Sequence, residues 1–341
     1  MTAGGTRPRD VAARLRDVVQ AFDRRTVLVV GDLLVDEYLF GKPGRISREA
    51  PVLILRFTER EVTLGGAANA AHNVHALGAR VVPVGVTGRD AAGDELAGLF
   101  EAAGIPTDGI VVESGRRTPV KTRIMAGGYQ ATRQQIVRLD REPTGELAPE
   151  TEEALVARVA GLAAGADAIV VSDYGYGSVT PRVFERLHAV ARRADLPLTV
   201  DSRYDLPRFV GVTAATPNET ELEQLTALPV EDEPSLEKAG RQLLDRLAAR
   251  MLLVTRGSHG MVLLERDGPS TFIPIHGTDE IADVTGAGDT VISTFTTALA
   301  CGASPVHAAT LANIAGGLVV MKRGTSTVGA AELREALDTL E

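Results

Sequence analysis

The chain has 341 residues, of which 44% are hydrophobic and 24% are charged, and these values are typical of a globular protein with a sizeable core. Its formal net charge of −9 argues against a general binding surface for nucleic acid or for an anionic membrane. The single cysteine, Cys301, excludes a disulfide framework within the chain and favours the reducing cytoplasm. We expect neither a signal peptide nor a transmembrane helix, because no uninterrupted apolar stretch is long enough for either.

Strand and helix patterns alternate along the chain. The first strand is the β-branched apolar run at 26–30. Helices are then predicted at about 67–77, 92–103, 150–163, 181–193, 234–249, 287–301, 305–321 and 330–340, and further strands at 81–86, 168–171, 198–200, 212–214 and 252–255. Repeated strand–helix units predict an α/β fold, in which a parallel sheet has helices on both faces and the loops at the carboxyl ends of its strands carry the site.

Two segments, about 38–64 and 117–140, interrupt this alternation. Both contain alternating apolar and polar residues without helical periodicity, and Gly127-Gly128 is typical of a hairpin turn in the second. They are either a small β layer inserted into the α/β body or extra edge strands of its sheet. We favour an inserted lid, because both segments leave the body near the predicted ligand loops.

The most informative motif runs from Asp283 to Thr290. Gly286 and Gly288 allow backbone conformations that other residues avoid, and an apolar helix follows them. The free N–H groups in the first turn of a helix suit an anion such as phosphate. Asp289 would lie in that turn, where a carboxylate can act as a general base. The alternative is an N-cap with a glycine turn that serves the helix alone.

Candidate sugar ligands lie nearer the amino terminus. Asp32 and Asp36 follow the first strand, where a carboxylate can accept two sugar hydroxyls or can simply satisfy the backbone of a turn. Further on, Gly65-Gly66 opens a helix rich in alanine, and Asn69 offers both a donor and an acceptor to a polyol. Tight packing of this helix on the sheet would explain the alanines, but it would not require the paired glycines together with Asn69.

Candidate nucleotide contacts follow later strands. Asn218 and Glu221 are three residues apart, so they share a face if a helix begins there. They could hold the hydrated Mg²⁺ of a nucleotide, or they could form a capping box. Thr255 and Gly257 lie in a glycine-rich loop that suits either phosphates or a hairpin turn. Asn313 lies on a late helix of small residues, which suits either an adenine or close helix packing.

Together these motifs resemble the ribokinase-like (PfkB) family of small-molecule kinases, and the resemblance covers nearly the whole chain. It implies a single ribokinase-like domain over residues 1–341, with a three-layer α/β/α body, a mostly parallel sheet and a small β lid. It also implies ATP and Mg²⁺ as cofactors, K⁺ as a further candidate, and a homodimer formed through the lid. No nucleic-acid or membrane partner is expected. The P-loop, the dinucleotide-binding glycine turn, the protein-kinase motifs and zinc-ligand spacings are all absent from the sequence.

The resemblance also implies roles for individual residues. Asp289 would be the catalytic base, and the backbone amides of its three predecessors would form an anion hole. The implied contacts are Gly286, Ala287 and Gly288 with the transferred phosphoryl group, Asp36, Gly65, Gly66 and Asn69 with the sugar, Asn218 and Glu221 with Mg²⁺ through water, Thr255 and Gly257 with phosphate, Asn313 with adenine, and Asp283 with a monovalent cation.

A closer resemblance is to the D-glycero-D-manno-heptose 7-phosphate kinases. It is carried by the stretches 44–51, 65–71, 138–140, 172–174, 283–290 and 324–328, of which Ile-Ser-x-Glu-Ala-Pro is more discriminating than the family-wide Gly-Ala-Gly-Asp. It implies transfer of the γ-phosphoryl group of ATP to the C1 hydroxyl of a heptose 7-phosphate. The alternatives are a kinase for another sugar, such as a fructose phosphate or ribose, and a non-enzymatic sugar sensor. Many relatives carry a fused nucleotidyltransferase, but this sequence has no His-x-Gly-His motif, so we expect the kinase part alone.

Two positions depart from those kinases and bear on the sugar phosphate. Tyr176 stands where they have lysine, and Arg203 replaces a lysine shortly after Asp201. Arg203 keeps the positive charge and can grip phosphate with two hydrogen bonds. In an acidic protein a sugar phosphate needs local cations. The candidates within the predicted ligand segments are Arg45, Arg48, Lys121, Arg123, Arg138 and Arg203, of which we rank Arg203 first.

Overall fold

The computed structural model describes residues 8–127, 133–277, 283–322 and 324–339. In these ranges the helices are α1 (Pro8–Gln20), α2 (Ala67–Ala76), α3 (Ala91–Ala102), α4 (Pro149–Leu162), α5 (Pro181–Ala194), α6 (Glu219–Thr226), α7 (Glu233–Arg246), α8 (Ala287–Ala300), α9 (Pro305–Val320) and α10 (Ala330–Asp338). The strands are β1 (Thr26–Gly31), β2 (Leu33–Ile46), β3 (Leu53–Gly66), β4 (Arg80–Gly88), β5 (Ile110–Glu113), β6 (Val120–Ala126), β7 (Gln134–Arg141), β8 (Ala168–Asp173), β9 (Leu198–Ser202), β10 (Ala214–Ala215), β11 (Met251–Thr255), β12 (Met261–Glu265) and β13 (Ser270–Ile273).

The predicted alternation of strands and helices is confirmed, and most predicted boundaries differ from the observed ones by one to three residues. The elements α1, β5, β12 and β13 were not predicted from the sequence, and α6 was considered only as a helix start at Asn218. The strand predicted at 212–214 is shorter and later, because only Ala214 and Ala215 pair with both neighbouring strands. In the part of the chain that the structure describes, no helix is both long and apolar enough to span a bilayer.

The large sheet of the described chain has the strand order β13-β12-β11-β10-β9-β8-β1-β4-β5. Its strands from β11 to β5 run parallel, and β12 and β13 add an antiparallel edge. Leu28 and Val30 of β1 contribute to a core with α4, α5 and α7, whereas Val27 and Val29 contribute to a core with α2 and α3. Because alternate residues of a strand point to opposite faces, helices cover both sides, and the predicted three-layer α/β/α body is confirmed.

The two interrupting segments form a separate four-stranded sheet in the order β3-β2-β6-β7, which we call the lid sheet. In it β2 pairs antiparallel with β3 and parallel with β6, and β6 pairs antiparallel with β7. The alternative of extra edge strands on the large sheet is therefore wrong. The turn predicted at Gly127-Gly128 falls between β6 and β7, but Gly128 lies outside the described residues.

An ion cluster around the buried Glu37 carboxylate joins the lid sheet to the body. Glu37 of β2 is 7% exposed, and it accepts hydrogen bonds from Thr122 Oγ1 at 2.5 Å and from Arg60 Nε at 2.7 Å. Arg60 of β3 also donates two hydrogen bonds to Glu95 of α3, at 2.7 and 2.8 Å. Burial alone would raise the pKa of Glu37, but the bonds from Thr122 and Arg60 hold it below its usual value. The cluster therefore fixes the β2–β3 hairpin against α3.

The turn from β1 into the lid sheet depends on a close backbone approach. β1 ends at Gly31, and Asp32 follows it directly, with its amide donating to the Ser172 carbonyl of β8 at 3.1 Å. A Cβ atom on Gly31 would lie 1.9 Å from that carbonyl oxygen. Glycine is therefore required at position 31, where β1 and β8 end side by side at the carboxyl edge of the sheet.

Replacing Gly31 by alanine should disturb the pairing of β1 with β8, because a carbonyl in a central strand cannot move aside without distorting the sheet. We expect Gly31→Ala to lower the free energy of unfolding by about 3 kcal/mol in urea denaturation. The matched control is Gly98→Ala, at an exposed position of α3 with open space around it, which should raise that free energy by about 0.5–1 kcal/mol. Equal stability of the two variants would contradict this packing.

Candidate active site

A cleft of about 620 Å³ opens at the carboxyl edge of the large sheet, where the lid sheet meets the body. This volume is in the range of ligand-binding pockets. Residues from separate predicted motifs line it, namely Asp36, Gly66, Arg138, Arg203, Asn218, Glu221, Thr255, Gly257, Gly286, Ala287, Gly288, Asp289 and Asn313. The other three predicted site residues, Gly65, Asn69 and Asp283, are not among its lining residues. The motifs therefore converge on one site although they are spread over most of the chain.

Asp289 lies in the first turn of α8 and is 3% exposed. Asn69 Nδ2 donates to Asp289 Oδ2 at 2.8 Å, and the Tyr174 hydroxyl donates to Asp289 Oδ1 at 3.2 Å. Each carboxylate oxygen thus has one fixed donor, and each keeps lone-pair capacity for a substrate proton. The carboxylate is oriented at the wall of the cleft, as a general base must be.

The environment of Asp289 makes it a stronger base than an ordinary aspartate. Burial raises the pKa of Asp289 to about 7, and the hydrogen bonds from Asn69 and Tyr174 oppose the rise. The nearby charge of Asp36 adds to the effect of burial, whereas that of Lys121 opposes it. A carboxylate with a pKa near neutrality combines useful basicity with a substantial ionised fraction at physiological pH.

The turn before α8 presents backbone amides to the cleft. Gly286 has a φ of +79°, in the left-handed region, and a Cβ atom there would lie 2.7 Å from Asn69 Nδ2. Glycine is therefore required both by the backbone and by the residue that holds the base. The Ala287 amide donates to the Val284 carbonyl at 3.2 Å, whereas the Gly286 and Gly288 amides have no hydrogen-bond partner within the described residues. Unpaired amides at a helix N-terminus suit an anion, and the role of Ala287 in an anion hole stays a prediction.

The Asp283 carboxylate stabilises this turn by accepting two backbone hydrogen bonds. Its Oδ1 accepts from the Thr285 amide at 2.9 Å, and its Oδ2 accepts from the Gly324 amide at 3.1 Å. The carboxylate thereby ties the turn before α8 to the segment that follows α9. Its binding of a monovalent cation stays a prediction.

The sequence predicts Asn69 as a sugar ligand, whereas the structure places its amide on Asp289. Asn69 is 0% exposed, and its Oδ1 accepts from Asn73 Nδ2 at 3.2 Å. Asn73 Oδ1 accepts in turn from Thr290 Oγ1 at 2.8 Å. This chain of hydrogen bonds fixes α2 against α8 and holds the base in place. Contact between Asn69 and a sugar stays a prediction.

Asp36 belongs to the lid-sheet wall of the cleft and is 4% exposed. Arg123 of β6 donates to its Oδ1 at 2.5 Å, and Thr325 Oγ1 donates to its Oδ2 at 3.3 Å. A Cβ atom on Gly65 would lie 2.6 Å from Asp36 Oδ2. Gly65 therefore makes room for the Asp36 carboxylate, and Gly66 is the member of the pair that lines the cleft.

Lys121 and Tyr174 also line the cleft and contact each other. Lys121 Nζ lies 4.2 Å from the centroid of the Tyr174 ring, within the range of a cation–π contact. Burial lowers the pKa of Lys121, although the Asp36 charge opposes this. Burial and the charge of Asp289 raise the pKa of Tyr174 well above its usual value, so its hydroxyl remains a donor near neutral pH. The sequence offered no signal for this role of Tyr174, because its partner is 115 residues away.

The motif at Asn218 is both a helix cap and part of the cleft. Asn218 Oδ1 accepts from the Glu221 amide at 2.8 Å, and Glu221 Oε2 accepts from the Asn218 amide at 3.0 Å. The capping box weighed from the sequence is therefore confirmed, and the same two side chains line the cleft. The loop after β11 is likewise the hairpin that leads to β12, and Thr255 at the end of β11 and Gly257 in the loop both line the cleft.

The small residues of α9 serve packing and the cleft together. A Cβ atom on Gly317 would lie 2.2 Å from the His276 carbonyl oxygen, so close helix packing requires this glycine. Asn313 Nδ2 donates to the Pro274 carbonyl at 2.8 Å, and Asn313 and Gly316 also line the cleft. The part of the cleft that α9 lines therefore consists mainly of small and uncharged residues.

Asp201 and Glu221 bring two carboxylates together in the cleft. Burial raises the pKa of Asp201 well above its usual value, and the charges of Glu221 and Asp289 raise it further. A hydrated divalent cation would relieve this repulsion, so the donor set fits the Mg²⁺ of a nucleotide. Over the described ranges no group of three or more His, Cys, Asp and Glu side chains is arranged to hold a metal by itself. The ion would therefore need ligands from the nucleotide and water as well.

Positive charge is concentrated at one part of the cleft. Arg138 donates to both oxygens of Asp140, at 2.8 and 2.6 Å. The Arg203 side chain has no hydrogen bond or ion pair with any residue that the structure describes. Arg45 and Arg48 are exposed and do not line the cleft. The cleft cations are Lys121, Arg123, Arg138 and Arg203, accompanied by Gln135, which the sequence analysis did not single out.

Comparison with known proteins identifies the family of this chain. A family model described as pfkB family carbohydrate kinase matches residues 24–331. The "Bifunctional protein HldE" of Desulfatibacillum aliphaticivorans is 41% identical over 94% of this chain and 64% of its own length. The protein of the same name from Geotalea uraniireducens is 42% identical over 90% of this chain and 61% of its own length. The chain thus spans less than two thirds of the length of these curated relatives.

A solved structure shows the same fold. The ribokinase of Arabidopsis thaliana, complexed with ribose and ATP, has a TM-score of 0.72 with this structure at 19% sequence identity. The match covers 92% of this chain and 98% of that chain. With the fold, the converging motifs and the family match in agreement, this chain belongs to the pfkB family of carbohydrate kinases.

Proposed function

We propose that this protein transfers the γ-phosphoryl group of ATP to the C1 hydroxyl of a heptose 7-phosphate. The observation that carries the proposal is Asp289, a buried carboxyl with a pKa of about 7 beside unpaired helix-terminal amides. Support for the heptose comes from the stretches that resemble heptose 7-phosphate kinases, and support for its phosphate comes from the cleft cations. Because the reaction consumes ATP and the chain has one cysteine, we assign it to the cytoplasm.

In the proposed reaction Asp289 accepts the proton of the sugar hydroxyl. The hydroxyl oxygen forms a bond to the γ-phosphorus, the bond from that phosphorus to the bridging oxygen breaks, and ADP leaves with the electron pair. Positioning and electrostatic stabilisation supply most of the catalysis in phosphoryl transfer. The Gly286 and Gly288 amides would stabilise the charge on the transferred group. Asp36 would orient the sugar, since Arg123 and Thr325 already fix its carboxylate.

Mg²⁺, when bound, would neutralise charge on the β- and γ-phosphates. Glu221 would hold the ion through water, because the capping box fixes the Glu221 side chain toward the cleft. Asn218 would support that water shell, and Thr255 and Gly257 would approach the phosphates. Asn313 would lie beside the adenine. A monovalent cation such as K⁺ at Asp283 remains part of this proposal.

Replacing Asp289 by asparagine should lower the rate of phosphoryl transfer without weakening the binding of ATP. Loss of a general base is worth about 10²–10⁴ in rate, so Asp289→Asn should lower kcat by that factor. Affinity for ATP, measured by calorimetry, should change little, because the helix-terminal amides remain. Asp17→Asn, at an exposed position of α1, is the control and should keep wild-type kcat. An Asp289→Asn enzyme with most of the wild-type kcat would refute the assignment.

The phosphate of the sugar should depend on Arg203. A hydrogen bond between charged groups is worth about 1.5–3 kcal/mol, so Arg203→Ala should raise KM for the sugar phosphate about 10–100-fold and KM for ATP much less. Arg192→Ala, at an exposed position of α5, is the control. Equal use of heptose and heptose 7-phosphate by the wild type would contradict the phosphate site and favour a free-sugar kinase.

We also propose that two copies pair through their lid sheets. The order β3-β2-β6-β7 leaves β3 and β7 as edge strands, and free edges and apolar patches promote association. The lid sheet and its β2–β3 connection carry the exposed apolar residues Ile46, Val52, Leu53, Phe57, Ile136, Val137 and Leu139. Pairing there would cover these side chains and stiffen the sheet that closes over the sugar.

The lid interface can be tested by charge insertion. Phe57 is 68% exposed, so Phe57→Glu should not disturb the fold of the monomer, but it should abolish the dimer in sedimentation velocity at micromolar concentration. Val210→Glu is the control, because Val210 is 47% exposed and lies on the body away from the lid sheet. A wild type that sediments as a monomer, or a Phe57→Glu variant that remains a dimer, would contradict this interface.

A further inference from the structure

Asp32, directly after β1, is a buried carboxylate that does not line the cleft. It is 1% exposed, and its carboxylate accepts three backbone N–H groups from one loop. The Tyr174 and Tyr176 amides donate to its Oδ2 at 2.8 and 2.9 Å, and the Ser178 amide donates to its Oδ1 at 2.9 Å. We call residues 174–178 the Tyr174 loop. Its alternate amides therefore converge on a single carboxyl group.

The glycines of this loop explain how its amides converge. Gly175 and Gly177 have φ values of +76° and +94°, so every second residue has a left-handed backbone. Such alternation turns successive N–H groups to one side and forms a concave anion site. In this protein the Asp32 carboxylate occupies that site. On the other side of the loop, the buried Arg116 guanidinium donates to the Tyr176 carbonyl.

The main chain of Asp32 reaches the second donor of the base. Its carbonyl accepts the Ala67 amide at 3.0 Å, and Ala67 begins α2, which carries Asn69. A Cβ atom on Gly66 would lie 2.7 Å from the same carbonyl oxygen, so the second glycine of the pair permits this approach. Asp32 thus contacts both segments that donate hydrogen bonds to Asp289, through its side chain and through its carbonyl.

We infer that Asp32 is a positioning residue that holds the Tyr174 hydroxyl against Asp289 Oδ1. The inference rests on the proposed role of Asp289 as the base of a sugar kinase. When one carboxylate oxygen of Asp32 is replaced by an NH₂ group, the loop amides that bonded to that oxygen lose their acceptor. The Tyr174 ring is then free to move from its position beside Lys121. A displacement of about 1 Å near the reacting groups can cost about 100-fold in rate. The effect should therefore fall on kcat rather than on the affinity for ATP.

The variants compared below leave the charged neighbours of Asp289 and Asp32 unchanged. Asp289 is faced by Asp36, Asp201 and Lys121 together with the Tyr174 hydroxyl. Asp32 is faced by Asp173 and Arg116. A hydrogen bond donated to a carboxylate lowers its pKa, so loss of the Tyr174 contact should raise the pKa of Asp289 further.

The experiment compares Asp32→Asn, Tyr174→Phe and the double variant, with ATP and D-glycero-D-manno-heptose 7-phosphate. We expect Asp32→Asn to lower kcat about 10–100-fold with little change in KM for ATP. The double variant should resemble Tyr174→Phe alone, because both changes break the same contact. In a ¹³C-NMR titration, the midpoint of the Asp289 carboxyl should move to higher pH in all three variants.

The matched control is Asp90→Asn. Asp90 also accepts three hydrogen bonds, from the Gly93 amide at 2.9 Å and from the Thr118 amide and hydroxyl at 2.9 and 2.7 Å. Like Asp32 it does not line the cleft, but these bonds involve neither the Tyr174 loop nor α2. This control should keep wild-type kcat and the wild-type Asp289 midpoint. A general loss of stability would affect it as well, whereas loss of the Tyr174 contact would not.

Two results would overturn the inference. One is an Asp32→Asn protein with wild-type kcat and an unchanged Asp289 midpoint, and the other is a double variant in which the two losses of kcat multiply in full. If Asp32→Asn does not fold, Gly177→Ala strains the same loop and is judged by the same two readouts, since a Cβ there meets only Arg116, at 3.6 Å. A wild type without kinase activity would refute the proposed function, whereas the NMR midpoints would still decide the role of Asp32.

Discussion

The burial of one ionisable carboxyl, that of Asp289, is the constraint on which the rest of the site depends. An unfolded aspartate has a pKa of about 3.9, whereas Asp289 in the folded protein has a pKa of about 7. Between these values the native state binds more protons than the unfolded state, so stability falls as pH rises from about 4 to about 7. Above about pH 7, where Asp289 is ionised in both states, its burial lowers the free energy of unfolding by about 4 kcal/mol. This is a large part of the net stability of an ordinary domain.

The buried base lies on a helix that is itself held rigidly in the core. The helix α8 is buried from Asp289 to Ala298, and the Thr296 and Thr297 hydroxyls donate to carbonyls four residues earlier at 2.7 Å. Ser293 Oγ donates to the Ala70 carbonyl at 2.9 Å, which fixes α8 to α2. The base is thus held by its own helix, by α2 and by the Tyr174 loop, and catalytic groups need support of this kind to stay in productive geometry.

Features that depend on residues close together in the chain could be predicted from the sequence. Asp289, Glu221 and Thr255 lie in short motifs whose glycine content and spacing have a direct physical meaning, and periodicity alone predicted the parallel body. The contacts of Tyr174 and of Lys121 could not be predicted, because they join residues that only the tertiary fold brings together. The motif at Asn218 shows a further difficulty, since a capping box and a ligand site require the same residue types, and the structure has the cap on the wall of the cleft.

The pH dependence of kcat/KM is the most direct measure of whether burial tunes Asp289, because it reports the pKa values of the groups that the free enzyme and substrate use. We expect activity to fall on the acid side with an apparent pKa of about 7, as Asp289 becomes protonated. Ionisation of the sugar phosphate, with a pKa near 6, lies below this limb and can be measured separately. An acid limb near pH 4, the pKa of an ordinary exposed aspartate, would show that burial does not tune this base and would contradict the role assigned to Asp289.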